Sequence, residues 1–596
     1  MFVGPVFTRE LATGPRRARI YISRAVYGLA LFLLMWTAYM MFFAARAATN
    51  ISELARFGAG LFPLLALVQL AVTVFFAALL AASAVAQEKD RRTLVLLLLT
   101  NLTNSELVLG KLFASFLQVF AMLAASLPLF MLTMLFGGVA LEQVIRAMGV
   151  MLASTVLAAS LGSTLALWRE KTFQTLALTA LIVVLWFVVW QIVGTGALGA
   201  TWAGIPTETW SAAFSPWQAL VEATQPQLAP DQSLGPIGSP VNLFLMISTA
   251  MAVVLNLLAI AHVRRWNTAS ERTEPREEVP ERESIWDAEH AAPVRKSRSA
   301  QAEKAPTREV WDNPILWREM RTRAYGRRML IIKLAYILFF GLAFVGLYRL
   351  AGGETGIPVT TAALAIVPLQ VLSLVLINAQ AVTALTNERD AQALDLLLVT
   401  DITPKEFIYG KLGGVFYNAK EMVALPLLLS GCLWLWDVVS GENLIYLLTG
   451  ILVMDVFVAM LGVHIGMAYA NSRSAIINSL GTVFFLFLGC ATCMAIMVAF
   501  RGDFKVQYAP FVAYIFGGGI GLYVVLGARN PSTAIFLASI LCPFLTFYAI
   551  TSYFVSQPLA IFLAATIAYG FTTLAMLVPA ISEFDVATGR TTAAEE

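Results

Sequence analysis

Long apolar stretches separated by short polar breaks fill most of the chain. Before residue 265 such runs cover 25–46, 59–86, 112–138, 144–167, 173–194 and 241–263. After residue 328 they cover 329–350, 359–386, 412–436, 442–468, 475–500, 508–526, 533–556 and 558–580. A membrane-crossing helix needs about 20 mostly apolar residues. Hydrocarbon offers no partner to unpaired backbone groups, so runs this uniform predict α-helices. The expected fold is an all-α polytopic membrane protein with two parallel six-helix repeats and 12 core transmembrane helices. The runs 508–526 and 533–556 read either as an extra hairpin of full spans in the second half or as re-entrant pieces. The first run follows a basic stretch as a signal peptide would, but its length marks it as a retained span.

Composition agrees with the pattern. Apolar residues make up 59% of the 596-residue chain and charged residues 13%, against about 25% charged in soluble domains. A net charge of +3 gives no reason to expect a nucleic-acid partner. Placement of charge says more than its sum. Residues 264–312 hold 21 of the 77 charged residues, 10 basic and 11 acidic, with four prolines. A segment so polar cannot bury enough apolar surface to fold alone. It reads as a cytoplasmic linker between a first module, 1–263, and a second, 313–596.

Lys and Arg set orientation. None occurs in 195–240, 351–358 or 437–443, whereas Arg16, Arg17, Arg19, Lys89, Arg91, Arg92, Arg169, Lys171, Arg264 and Arg265 gather at alternate ends of the runs. This places both termini in the cytoplasm. Arg46, Arg56, Arg146, Arg349 and the Arg501–Lys505 loop run against the trend.

An internal repeat fixes the organisation. Residues 88–112, EKDRRTLVLLLLTNLTNSELVLGKL, align without gaps on 388–412, ERDAQALDLLLVTDITPKEFIYGKL. Glu88, Asp90, Leu94, Leu96, Leu97, Leu98, Thr100, Thr103, Glu106, Gly110, Lys111 and Leu112 each recur 300 residues later, 12 identities in 25 positions. Each copy follows the second span of its half. Ahead of each first span, Gly4–Leu11 matches Asn313–Met320 through a shared Pro and an Arg-Glu pair, Arg9-Glu10 and Arg318-Glu319. Ser215-Pro216-Trp217 and Cys542-Pro543-Phe544 form a weaker third match before the last spans.

The repeated residues carry definite local physics. Thr103-x-x-Glu106 and Thr403-x-x-Glu406 have capping-box spacing, in which each side chain satisfies a backbone N–H of the helix start. Pro404 suits the first helical position. Leu94, Leu97 and Leu98, with Leu394, Leu397 and Leu398, recur at helical spacing and predict a short helix before each box. The result is a helix, a break and a sharply started span at the cytoplasmic face. The N-terminal motifs predict interfacial amphipathic helices with Gly4 and Asn313 as caps and with Arg9 and Arg318 facing headgroups.

Candidate chemistry is sparse. The chain has no G-x-x-x-x-G-K-[ST], HExxH or G-x-S-x-G, and its histidines are His262, His290 and His464. No catalytic residues, bound cofactor or metal site are expected, and Cys490-x-x-Cys493 lacks the companions a zinc or redox site needs. Asp455, Lys420 and Glu421 fall inside apolar runs, and Asp455 is a candidate for a substrate or coupling path.

The P-x-x-x-R-E helix, the six spans and the motif after span two resemble the membrane subunits of ABC-2 type permeases, also called type V ABC transporters. The resemblance implies a pseudo-dimer of two fused permease modules in a bacterial inner membrane, exporting a substrate when ABC ATPase subunits, two copies, dock and hydrolyse ATP. It implies an ATPase-docking surface of Glu88, Asp90, Leu94, Thr103 and Glu106 with Glu388, Asp390, Leu394, Thr403 and Glu406. It also implies short re-entrant helices between spans five and six, matching 195–240 in the first half, where the second half departs. Two other readings stay open: a secondary transporter with parallel six-helix repeats, and a non-transporting membrane scaffold or sensor.

Overall fold

A computed structural model describes residues 4–13, 18–43, 50–91, 93–169, 171–194, 199, 201–202, 204–226, 239–267, 311–321, 329–352, 357–390, 392–499, 508–528 and 531–584. The linker 264–312 lies outside the described residues except at its two ends, as does Arg501–Lys505.

The first half runs α1 (Gly4–Thr13), α2 (Ala18–Phe43), α3 (Ile51–Asp90), α4 (Thr93–Leu99), α5 (Asn104–Leu135), α6 (Leu141–Trp168), α7 (Thr172–Gly194), a two-stranded turn (Thr201–Trp202 with Ile205–Pro206), α8 (Thr207–Phe214), α9 (Pro216–Thr224) and α10 (Pro240–Trp266). The second half repeats the order with α11 (Pro314–Arg321), α12 (Met329–Ala351), α13 (Val359–Asp390), α14 (Ala393–Leu398), α15 (Pro404–Asn418), α16 (Lys420–Leu435), α17 (Gly441–Ala468), α18 (Ser472–Ala499), α19 (Tyr508–Leu526), α20 (Thr533–Phe554) and α21 (Pro558–Ser582). Among the described residues, twelve helices are long and apolar enough to cross a membrane; α20 is one of them, whereas α15, α16 and α19 are not. The chain is an all-α polytopic membrane protein.

Packing repeats along with sequence. In both halves the long second span packs on the fourth, α3 on α6 and α13 on α17, and the last span packs on the same fourth helix. Small residues permit that approach. A Cβ added to Gly162 would lie 2.6 Å from the Ala78 carbonyl oxygen, and one added to Gly462, 300 residues on, would lie 2.6 Å from the Ala381 Cβ and 2.9 Å from the Asn378 oxygen. The halves also exchange contacts reciprocally: α7 packs on α13 while α18 packs on α3, as a pseudo-two-fold axis requires. Phe75 and Phe484 stack across this interface with centroids 4.0 Å apart.

Three elements differ from a plain reading of hydropathy. Helix α3 starts at Ile51, well before its apolar run, because Glu53 and Arg56 lower the local hydropathy without interrupting the helix. The run 412–436 is not one helix: Ala419 leaves helical geometry and divides α15 from α16, and the carbonyl of Met422 just beyond takes hydrogen bonds from Ser373 (2.7 Å) and Tyr336 (3.4 Å). The runs 508–526 and 533–556 form a full antiparallel hairpin. Phe511 of α19 packs on Phe544 and Phe547 of α20, and Tyr523 on Phe536, so the two helices lie side by side along their length. The last turn of α19 is level with the end of α17: His464 Nε2 lies 2.9 Å from the Leu526 oxygen, and the Tyr469 hydroxyl donates to Val525 at 3.4 Å.

In the first half the same place holds the shallow pair α8–α9. Trp186 Nε1 donates to the Phe214 oxygen (2.9 Å) and Ser211 to the Trp190 oxygen (2.7 Å), so α8 descends alongside the end of α7. Ser215 caps α9, which returns to the start of α6, where Gln143 and Arg146 donate to the carbonyls of Thr224 (2.7 Å) and Gln225 (2.6 Å). Arg146, at an end where basic residues are otherwise scarce, thus satisfies the last carbonyls of a re-entrant helix, a favourable place for a cation.

Candidate functional site

The two copies of the repeated motif meet at one end of the bundle. Arg91, one residue past α3, pairs with Asp390 at the end of α13 at 3.3 Å, and Gln87 donates to Asn471 at 3.1 Å. Both motifs therefore lie on the same membrane side, beside the pseudo-two-fold axis.

Each motif is held by its own repeated charges. Lys111, in the second turn of α5, forms an ion pair with Glu88 at the end of α3. Lys411 of α15 pairs with Glu388 of α13 at 2.7 Å and with Glu319 of α11 at 2.7 Å, and Arg318 pairs with both carboxylates. Lys411 has no exposed side-chain surface, and Glu319 is 5% exposed. A buried cation in such a place needs its partners, because desolvating it alone costs several kcal/mol. The next basic position serves the neighbouring helix. Lys89 donates to the carbonyls of Leu167 and Arg169, at 2.8 Å to the latter, and Arg389 donates to Gly466 at 2.8 Å and to Tyr469. These cations close the carbonyl ends of α6 and α17. Asp90 accepts from Thr172 at the start of α7.

Both capping boxes form. Thr103 N donates to Glu106 at 3.0 Å and Glu106 N to the Thr103 hydroxyl at 3.3 Å; in the second copy the distances are 2.9 and 3.3 Å. Asn313 caps α11 by accepting from Leu316 N at 2.9 Å, and its amide donates to the Glu406 carbonyl at 2.9 Å. Helix α11 then lies on a glycine face of α15. Cβ atoms added to Gly410 and Gly414 would come within 2.7 Å of Ile315 and 2.6 Å of Glu319. Gly4, at positive φ, sits as tightly on Glu106.

This geometry revises several sequence assignments. Leu94 and Leu394 are buried and cannot offer their side chains to a partner: the apolar stripe of α4 turns inward onto Ala166, Ala259 and Val263. The exposed apolar positions are on the other side, Leu96 (63% exposed) and Leu99 (79%) with Leu396 (74%) and Val399 (88%). Glu88, Asp90, Glu388 and Asp390 are each engaged within the protein, with Lys111, Thr172, Lys411 and Arg91 respectively. Glu319 is not on an open helix face, and Arg318, 30% exposed, joins it in the Lys411 cluster. Arg9 is exposed on α1, and the side chain of Glu10 lies outside the described residues. Thr103 and Thr403 are exposed and Glu106 and Glu406 half-exposed, at the rim of the protrusion.

Helix α4 is fastened from below. Arg264, at the end of α10, donates to Asn104 (2.8 Å) and to the carbonyls of Leu98 (3.2 Å) and Leu102 (3.0 Å), the last polar groups of α4 and of the break. The in-register Gly-Lys of the repeat was the one sequence signal for the buried lysines; nothing local marked Arg264.

Asp455 is buried in α17, away from this surface. Gln370 donates to its Oδ1 at 3.3 Å, and Oδ2 has no hydrogen-bond partner among the described residues. Glu421 pairs with Lys333 at 2.7 Å. Cys490 lies 3.3 Å from the Tyr514 hydroxyl. No group of three metal-binding side chains occurs among the described residues.

Taken together, fold and site define a polytopic helical membrane protein with a duplicated motif, held by ion pairs, at one end of the helix bundle. Searches for related proteins found no family model that matches the chain and no characterised protein significantly similar to it.

Proposed function

We propose that the chain is the membrane-spanning half of an ATP-driven transporter, two ABC-2-like permease modules fused in one polypeptide, with the duplicated protrusion as the docking surface for two separate ATPase subunits. The observation that supports this most is the pairing of the two motifs. They stand side by side at one end, each offering a short helix with exposed Leu96 and Leu99, or Leu396 and Val399, braced on buried charges. A part that transmits force from a partner to the spans needs that rigidity, and an exposed pair of apolar patches needs a cover. The motif face is then cytoplasmic, as the Lys and Arg bias requires, in a bacterial inner membrane. Export is assigned by analogy with the family it resembles.

The test is isolation of the tagged chain from its native membrane in mild detergent, followed by identification of what remains bound. Recovery of a P-loop ATPase whose hydrolysis changes on reconstitution with the chain is the expected result. A chain that retains no such subunit under conditions that preserve other membrane complexes would overturn the proposal.

A further inference from the structure

A cavity of about 480 Å³ lies between α18, α19 and α20, closed on one side by Phe76 of α3. Apart from Phe76, its lining comes from the second half, where α19 and α20 replace the shallow α8–α9 pair. Its lining on α18 runs from Ile477 to Gly489, five to seventeen residues into a helix of 28, and so about 8–25 Å along it at 1.5 Å per residue. That is the depth of the bilayer interior.

The lining argues against a packing accident. Gly481 is buried and lines the space, yet nothing lies within 4 Å of where its Cβ would project, while Gly517 and Gly521 line the open side. Glycine in a membrane helix ordinarily allows a neighbouring backbone to come close; here it leaves room. The positions matching Gly481 and Gly489 in α7, 300 residues earlier, are Leu181 and Val189, so the first half carries larger side chains there. The wall is mostly apolar, with the Asn478 amide as its one polar side chain that has no hydrogen-bond partner among the described residues. The Thr482 hydroxyl donates to the Asn478 backbone oxygen at 2.7 Å, the Thr546 hydroxyl to Cys542 at 2.7 Å, and the Tyr514 hydroxyl lies against Cys490. An apolar cavity does not retain water. The exposed ring of Phe485 and the exposed Gly517 and Gly521 leave a mouth between α18 and α19 toward the hydrocarbon.

We propose that this cavity holds one acyl chain of a membrane lipid, entering between α18 and α19. The volume is that of a small-molecule pocket, and the guest's chemistry is set by the surrounding solvent, which at this depth is hydrocarbon. The proposal is independent of the ATPase reading.

The full chain, reconstituted in phosphatidylethanolamine–phosphatidylglycerol vesicles doped with a phospholipid carrying a diazirine midway along one acyl chain, is irradiated and its adducts mapped. Adducts concentrated on the cavity faces of α18 and α19, above the density on lipid-exposed Leu334 and Leu338 of α12, are expected. The G481L/G521L variant, which fills the space, loses the cavity adducts and keeps those on α12. The G341L variant, equally open but on α12, keeps both sets. Cavity adducts no denser than those on α12 would overturn the proposal from the wild-type map alone. Their persistence in the filled, monodisperse variant would do the same.

Discussion

Replacing Lys411 by Met isolates the brace beneath the second motif. The lysine side chain is wholly buried and joins Glu319 of α11 and Glu388 of α13, each at 2.7 Å, to α15. Methionine conserves length and removes the charge. Two carboxylates, 5% and 16% exposed, then share only Arg318. Removing one partner of a buried ion pair typically costs about 3–5 kcal/mol, most of it from the uncompensated charge left behind. Arg318 stays in reach of both carboxylates, so the lower end, about 3 kcal/mol, is expected. Adding E319Q to K411M removes the stranded charge and should recover about 1–2 kcal/mol. The comparison is Lys405→Met, an exposed lysine on the same helix, expected to change stability by less than about 0.5 kcal/mol. Unfolding in mixed micelles of rising SDS fraction, read by the reactivity of the buried thiols Cys493 and Cys542, gives the three differences. Equal midpoints for K411M and K405M would refute the assignment of this cluster as the brace. So would a further loss, in place of a gain, on adding E319Q.

Other consequences follow from the same geometry. L96K together with L396K, at exposed sites, should leave yield and thermal stability unchanged while reducing ATPase copurification; undiminished copurification would remove these positions from the docking surface. L94A, at a buried site, should instead lower stability by about 2–5 kcal/mol in the same SDS titration, and a neutral result would contradict the inward-facing stripe. G414V drives a branched side chain into Glu319, whose Cβ lies 2.6 Å from where the first added carbon would sit, and should loosen α11, seen as faster proteolysis near Arg321; an unchanged cleavage rate would argue against that packing.

Local chemistry was readable in the sequence where it depended on spacing within one turn. The boxes at Thr103 and Thr403, the start of α15 at Pro404 and the short helices before each box follow from residues three or four apart. The repeat was readable because polar positions matched in register. The brace was not. Glu88 and Lys111 are 23 residues apart and Arg318 and Glu388 are 70 apart, distances at which only the fold says who meets whom. The two faces of α4 were also ambiguous: leucines at 94, 96, 97, 98 and 99 leave no polar face to show which side turns inward, and contact with α6 and α10 decides it. The division of α15 from α16 carries no proline or glycine at Ala419, so hydropathy read straight through it.

The docking of an ATPase on the paired protrusions is tested most directly by photo-crosslinking from the chain itself. A photoreactive amino acid placed singly at Leu96 and at Leu396, irradiated in intact cells, should capture one and the same P-loop polypeptide from both positions, while the same residue at Leu338 on α12 captures lipid. Capture of unrelated polypeptides from the two positions, or of lipid from all three, would contradict a shared partner surface.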